Sequence, residues 1–496
     1  MVEEGFLRGE TWGMPGAPVE HIETHAAHVF LAGDKAFKIK KPVKLPYLDF
    51  TTRDKRRAVL AHEFEINRRF APDIYRGLSD VRGEPVLVMN RFAAGDVLAD
   101  MVEHGRLPDA LANDLARMAA VMHDSVAAAT AGGAAIMAGL GAQLSAAFTG
   151  SPDIFPAAAT LEFHALYEEA LHRHAGLLNR RAQQGQVRRC HGDLHCGNIV
   201  LLHGKPVPFD AIEFSEAIAT IDVLYDLAFL LMDLWYHGEH RAANLVLNRY
   251  VDLRRAYEDG SGLALLPLFL ATRAGVRALV AADRLRGASV AKSLRERGAA
   301  LDYFRACIAY LKPPPPVLVC IGGLSGSGKS ALAASLAPGV GAAPGALHLR
   351  SDIERKRLAG VNDVERLPAA HYTKEASREV YDALQGRAAL ALRAGHSVVV
   401  DAVFAEAAER NRAEEVARQC HARFAGVWLE APAAILKARV SARRGDVSDA
   451  NAAVVERQLG TTRGHIGWTH IDASGSQTET LAAVKQRLAL QSAGPA

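Results

Sequence analysis

Disulfide chemistry, membrane insertion and bulk charge are all thinly represented in this chain. Its five cysteines, Cys190, Cys196, Cys307, Cys320 and Cys420, are scattered and odd in number. They fit a reduced, cytoplasmic setting better than a disulfide framework. The first residues, MVEEGFLRGETWGMPGAP, open acidic and lack an apolar core, so they do not read as a signal peptide. The most apolar run, GLALLPLFLAT from Gly262, is stopped by Arg273 and Arg277 and reads as too short to span a bilayer. Against 58 Lys and Arg stand 55 Asp and Glu, a net charge of +3. That balance gives no argument for nucleic acid or an anionic membrane as partner.

What is present is length. The chain has 496 residues, 49% of them hydrophobic and 23% charged, a soluble globular composition. At roughly 100–200 residues per domain, two to four domains are expected. One boundary is visible, because Pro313 to Pro316 excludes helix and favours an extended linker. The expected division is a domain over 1–311, a linker over 312–316 and a second domain over 317–496.

In the first part, HVFLAGDKAFKIKK from His28 reads as a hairpin turning at Gly33-Asp34. A charged helix is expected over 51–70, a strand from Glu84, and helices over most of 96–185. An apolar helix candidate starts at Asp222, and more helices are expected over 262–311. Strands first and helices later suggest a small β-rich lobe on a larger helical lobe. The second part alternates strands at 317–322, 346–350, 397–401 and 424–430 with helices. That order argues for a doubly wound parallel sheet. The expected fold class is therefore α/β and α+β.

Two motifs carry chemistry. The stretch VRRCHGDLHCGNIVLL from Val187 crowds His and Cys, but it offers no zinc-type pair set. Read as HGDLHCGN, it places Asp193 five residues before Asn198, the interval of a kinase catalytic loop, and VPF then ends in Asp210. Phosphoryl transfer asks for an acid to orient or deprotonate the acceptor, an amide oxygen on Mg²⁺ and a carboxylate on Mg²⁺. Asp193, Asn198 and Asp210 supply them in that order. His191 reads as a structural hydrogen-bonder, and Cys190 and Cys196 as packing residues.

The second motif is GLSGSGKS, from Gly323 to Ser330, between an apolar strand and a helix. It matches the P-loop pattern in full. Backbone N–H groups of Gly323, Ser325, Gly326, Ser327 and Gly328 are expected to cradle phosphate oxygens. Lys329 should reach the β/γ-phosphates and Ser330 should ligate Mg²⁺.

The second half resembles the small P-loop kinases, among them gluconate kinase, nucleotide-type kinases and zeta-toxin-like enzymes, over most of 317–490. The resemblance makes Asp352, in RSDIERKRL, a candidate base or substrate anchor; helix N-capping is the open alternative. It makes Arg355 a substrate or phosphate ligand and Asp401, ending VVVD, the acid of the Mg²⁺ water shell. It makes Arg439, Arg443 and Arg444 lid cations that neutralise the transferring phosphate. Nothing AAA-like is expected beyond the P-loop itself.

The first half, over roughly 20–310, resembles aminoglycoside phosphotransferase-type kinases, whose fold is protein-kinase-like and bilobal. H-G-D-x-H-x-x-N is that group's form of the catalytic loop. The resemblance implies a strand lysine on the α/β-phosphates, Lys38 with Lys40 as rival. It implies a helix glutamate paired to it, Glu63 with Glu65 as rival. Met89 to Phe92 becomes the hinge beside adenine and Asp226 a structural acid at a helix start. The pattern departs at one point: no G-x-G-x-x-G precedes Lys38, and the hairpin turn before it carries a single glycine, Gly33.

The layout resembles bacterial fusions of these two kinase types. It implies two ATP·Mg²⁺ sites and transfer of the γ-phosphoryl to small-molecule acceptors. The alternative is one catalytic domain regulated by a nucleotide-binding, catalytically degenerate partner domain, the N-terminal half being the likelier degenerate one.

Overall fold

The computed structural model describes residues 4–488 apart from positions 25, 46–47, 106, 130–131, 255–260, 286–289, 363–364, 443–447 and 462–464. The chain forms two compact units: residues 1–137 with 178–242, and residues 138–177 with 243–496.

The first unit opens with strands β1 (Val19–Glu23), β2 (Ala27–Ala32) and β3 (Lys35–Lys40). Helix α1 (Arg53–Phe70) follows, capped by the Thr52 hydroxyl, which accepts from Lys55 N. Strands β4 (Tyr75–Val81) and β5 (Glu84–Asn90) complete a five-stranded antiparallel sheet in the order β1-β2-β3-β5-β4. The expected hairpin is β2–β3, turning at Gly33-Asp34 with Lys35 opposite Ala32. One face of the sheet packs Phe6, Trp12, Phe30, Phe37 and Val86 into a core.

Helix α2 (Asp109–Asp124) begins just after Pro108 and buries Leu111, Ala112, Leu115, Ala116, Ala119 and His123 at helical spacing. IVLLHGKPVPF forms the expected strand–turn–strand, β6 (Ile199–Leu202) antiparallel to β7 (Lys205–Pro208). Helix α3 (Val223–Tyr236) is buried from Val223 to Trp235, with Asp222 as N-cap accepting from Leu224 N. A helix buried on every face carries polar residues only where they have partners. Asp226 and Asp233 in α3 are such residues, with partners in the catalytic-type loop described below and, for Asp226, on α2 as well.

The second unit takes in α4 (His240–Arg254) from Ala243 onward, then α5 (Leu266–Asp283). The apolar stretch is longer than its sequence suggests. Gly262–Asp283 runs for 22 residues, enough by length and composition to cross a bilayer, yet 67% of its apolar window is buried. Thr272 and Arg273 are themselves buried in it, so the arginine that seemed to end the run lies inside the helix.

Strand β8 (Val317–Gly323) leads into helix α6 (Lys329–Leu336). Then follow β9 (Leu347–Arg350), α7 (Ser351–Leu358), β10 (Val398–Asp401), β11 (Arg423–Glu430), α8 (Ala433–Ala442), α9 (Ala452–Thr461) and β12 (Thr469–Asp472). The sheet is wholly parallel in the order β9-β10-β8-β11-β12. Strand β8 is central and fully sandwiched, which explains its unbroken apolar run. The fifth strand, THID, is four residues at an edge, too short to show periodicity in the sequence.

Candidate active sites

In the first unit the charged side chains converge from separate elements. Lys38 Nζ, from β3, donates to Glu63 Oε1 of α1 and to Asp210 Oδ1, both at 2.7 Å. Burial works against the lysine's charge, but Asp210 and Glu63 outweigh it and hold its pKa well above the ordinary value. The two rivalries left open by the sequence now separate. Glu63 is fully buried and Glu65 is exposed, paired to Arg69 one turn on. Lys40 also reaches Glu63, at 2.7 Å on Oε2, but its second partner is Glu213 at 2.5 Å. Only Lys38 bridges the helix glutamate to Asp210. Glu213 carried no signal in the sequence beyond its position three residues after Asp210.

Asp210 sits at φ +60, a left-handed conformation that costs a non-glycine residue about 1–3 kcal/mol. Its N–H donates to the Tyr75 hydroxyl at 2.9 Å, which helps hold the turn. Enclosure raises the Asp210 carboxyl, and Lys38 more than offsets it, so the group lies below its usual range and is ionised. Asn198 Nδ2 donates to Asp193 O at 3.0 Å and to Asp193 Oδ2 at 2.9 Å. That commits the amide nitrogen and leaves the amide oxygen as what Asn198 can offer a cation. Asn198 and Asp210 thus form an oxygen donor pair suited to a hard divalent ion.

The loop is held from below. His191 Nε2 donates to Phe209 O at 3.0 Å, while its Nδ1 accepts from Asp193 N at 3.3 Å. One ring nitrogen donates and the other accepts, so the imidazole is neutral, and burial lowers its pKa accordingly. Asp226 accepts from Gly192 N at 2.8 Å, His191 N at 3.3 Å and His123 Nε2 at 3.0 Å. Asp233 accepts from Cys196 N at 2.9 Å. His123, Cys190 and Asp226 come within 4.8 Å of one another. Three donors engage the Asp226 carboxylate and make it a hydrogen-bonded hub, while Cys190 Sγ donates to Ile221 O at 3.5 Å.

Beside these groups lies a cavity of about 570 Å³. Ile22, Val29, Ala36, Ile74 and Phe209 give it an apolar wall, and Lys38, Asp193 and Asp210 a charged end. Met89, Asn90, Arg91 and Phe92, the expected hinge, line it too. An apolar slot ending in a lysine and a carboxylate suits a planar base joined to phosphates.

In the second unit the site sits at the C-terminal end of the central strand, where strand order reverses between β10 and β11. Gly323, Gly326 and Gly328 have φ of +139, +87 and +90. A Cβ at Gly326 would come within 2.5 Å of Leu436 O, so the loop's path requires glycine there. Lys329 Nζ donates to Leu324 O at 3.0 Å, and Ser325 N donates to Gln458 Oε1 at 2.8 Å. Ser330 Oγ donates to Asp401 Oδ1 at 3.0 Å, and His348 Nε2 donates to Asp401 Oδ2 at 2.6 Å. Burial raises the Asp401 carboxyl, but His348, Arg350 and Lys329 bring it below its usual value. A serine hydroxyl touching an ionised buried carboxylate is an oxygen donor set that fits a divalent ion with its waters.

The remaining predicted residues fare differently. Asp352 is not an N-cap: α7 begins at Ser351, and its cap position is Arg350, whose side chain makes no capping bond. Burial raises the Asp352 pKa, with Ser448, Lys329 and Arg350 opposing and Asp401 reinforcing. A carboxylate whose folded pKa is raised costs stability above its unfolded pKa and costs nothing well below it. Asp352→Asn is therefore expected to raise the melting temperature at pH 7, with the gain vanishing as pH falls below the ordinary aspartate range. An unchanged melting temperature at pH 7 would count against a raised pKa at the half-buried Asp352.

Arg355 Nη1 donates to His371 O at 2.5 Å, and its guanidinium lies 4.9 Å from the Tyr372 ring centroid. Arg439 donates to Ala473 O at 2.7 Å, Ser474 O at 3.2 Å and Gly475 O at 3.0 Å. Those contacts clamp the segment after β12, and they do not present the guanidinium as a phosphate ligand. Arg443 and Arg444 lie outside the described residues. His348 and Gln458 were missed, because a histidine inside a strand and a glutamine on a helix carry no motif.

The two sites and folds define a small-molecule kinase. Residues 55–263 match the phosphotransferase enzyme family, and residues 318–464 match a family described as an AAA domain. The second match runs well past the P-loop, which corrects the expectation of nothing AAA-like beyond it. The first begins after Lys38, so that lysine's assignment rests on its contacts. The chain belongs to the family of uncharacterized protein Rv2004c of Mycobacterium tuberculosis (strain ATCC 25618 / H37Rv), 31% identical over 482 residues, 92% of this chain and 93% of that protein. Among solved structures, a gluconokinase from Sinorhizobium meliloti 1021 is similar at 24% identity and TM-score 0.26, covering 35% of this chain and 94% of that one. The GDP and kanamycin complex of APH(2")-IIia is similar at 16% identity and TM-score 0.41, covering 62% of this chain and 99% of that one.

Proposed function

We propose that this is a cytoplasmic, bifunctional kinase with two ATP·Mg²⁺ sites, each transferring the γ-phosphoryl group to a small-molecule acceptor. Neither nucleic acid nor a membrane is a partner in this reading. The first domain extends over 1–311 and the second over 317–496. The observation that supports it best is the convergence of Lys38, Glu63 and Asp210 from three elements beside Asp193 and Asn198. A degenerate half would have no need to keep that set together.

In the first site Lys38 binds the α/β-phosphates, and Asn198 with Asp210 holds Mg²⁺. The acceptor oxygen attacks the γ-phosphorus, the bond to the β–γ bridging oxygen breaks, and Asp193 takes the acceptor's proton. In the second, the loop from Gly323 to Gly328 and Lys329 bind the phosphates. Ser330 ligates Mg²⁺, Asp401 orders its water shell, and Asp352 receives the acceptor's hydroxyl. The metal's chemistry in both is neutralisation of phosphate charge.

The protein, incubated with ATP, Mg²⁺ and a metabolite extract, is expected to give compounds heavier by one phosphate. Asp193→Ala and Lys329→Ala should each remove a different product. If Asp193→Ala changes no product while Lys329→Ala abolishes all of them, the regulatory alternative replaces this reading. That alternative draws on one feature, the two-residue turn at Gly33-Asp34 in place of a glycine-rich loop.

A further inference from the structure

The P-loop carboxylate has a partner that the loop motif does not include. Asp401 is 4% exposed, and its two oxygens are divided between two donors: Oδ1 faces the Ser330 hydroxyl and Oδ2 the His348 imidazole. His348 sits on β9, in register with Val399 and two residues before Arg350, which is in register with Asp401 itself. Residues i and i+2 share a strand face, and both reach the carboxylate: Arg350 Nε lies at 3.8 Å, a looser contact than the 2.6 Å of His348. The histidine is thus the close donor that fixes which way the carboxylate is turned, and with it the oxygen left toward Ser330.

Strand β9 is an edge of the sheet, where outward N–H and C=O groups lack a neighbouring strand. Here α4 supplies the missing partners. Asn248 Oδ1 accepts from His348 N at 2.7 Å, and Asn248 Nδ2 donates to Ala346 O at 3.3 Å. Asn244 Nδ2 donates to Pro344 O at 3.0 Å and Ala346 O at 2.9 Å. The two asparagines, one turn apart, bind the edge as a strand would. They lie within the stretch matched to the phosphotransferase enzyme family, whereas His348 and Asp401 lie within the other match.

We infer that His348 is a positioning residue for the metal-ordering acid Asp401, and that Asn248, from the phosphotransferase-matched segment, holds it in place. The P-loop site is then assembled from both family segments, a reason for one chain to carry the two. This rests on the reading of 323–330 as a Mg²⁺–nucleotide site. Partners that orient a metal-binding group from behind typically contribute about 10–100-fold to metal affinity.

The test uses the full-length chain and a fluorescent ADP analogue, titrated with Mg²⁺ and separately in EDTA. The quantity read is the Mg²⁺ concentration that half-saturates the binding component removed by Lys329→Ala. His348→Ala is expected to raise it about 10-fold or more, with binding in EDTA unchanged. His348→Gln, which returns an N–H donor at similar reach, is expected to restore most of the loss. Asn248→Ala should shift the midpoint in the same direction by less. An unchanged midpoint in His348→Ala, or an equal loss in EDTA, overturns the inference. Should His348→Ala fail to fold, an unchanged midpoint in Asn248→Ala overturns it instead. If the unmodified chain shows no component that Lys329→Ala removes, the nucleotide reading itself falls and takes the inference with it.

Discussion

Asp193→Asn is expected to lower kcat for the product of the first site by about 10²–10⁴-fold, the usual worth of a positioned general base, with KM for ATP little changed. The geometry says why so conservative a change should cost so much. Asp193 Oδ2 already accepts from Asn198 Nδ2 at 2.9 Å. An asparagine at 193 must turn its oxygen toward that donor, which leaves its own NH₂ facing the acceptor. The side chain then has no lone pair for the acceptor's proton, while Lys38 and Asp210, the proposed phosphate and metal ligands, keep their mutual contact. Separate measurement of kcat and KM for ATP, with the Lys329-dependent product as internal control, checks this. A change of less than about tenfold in kcat would remove Asp193 from the base's role, since general-base loss costs at least about 10²-fold.

The parts of this site that were legible in the sequence are those tied to local spacing. Asp193, Asn198 and Asp210 fall within eighteen positions of one another, on a loop and a short hairpin whose turn residues fix the geometry. Lys38 and Glu63 were only half legible, because alternation on a strand puts Lys40 on the same face and a helix turn offers Glu65 nearby. Burial decided between the glutamates: one faces the sheet and the other faces solvent. Strands β1, β4 and β12 were missed because they are edges or half-solvated and mix charge into their pattern. His348, Asn248 and Gln458 were illegible for a different reason. Each acts through a contact spanning between 53 and 133 positions of chain, and no local pattern announces such a partner. Arg439 erred in the opposite direction. An arginine near a lid reads as a phosphate ligand, and only the fold shows its guanidinium on three carbonyls.

The second large effect falls on stability, and it separates the buried hub from the reacting groups. Asp226→Ala strands three donors at once, Gly192 N, His191 N and His123 Nε2, in an interior where Asp226 and His123 are fully buried. Each buried donor left without an acceptor costs about 1–3 kcal/mol. The sum is about 3 kcal/mol at the least, a large share of the roughly 5–15 kcal/mol by which domains are stable. Asp226→Asn should fall between. Its single oxygen can keep Gly192 or His191, and the His123 ring can change tautomer to accept from the new NH₂, but one backbone N–H still faces an amide nitrogen. The expected order of urea midpoints is wild type, then Asn, then Ala, with the catalytic loop loosening and the Asp193-dependent product declining in parallel. Asp80→Ala, which breaks an exposed pair with Arg57, should barely move the midpoint. If Asp226→Ala behaved like Asp80→Ala, the loop would have to be held by something other than the α3 carboxylate.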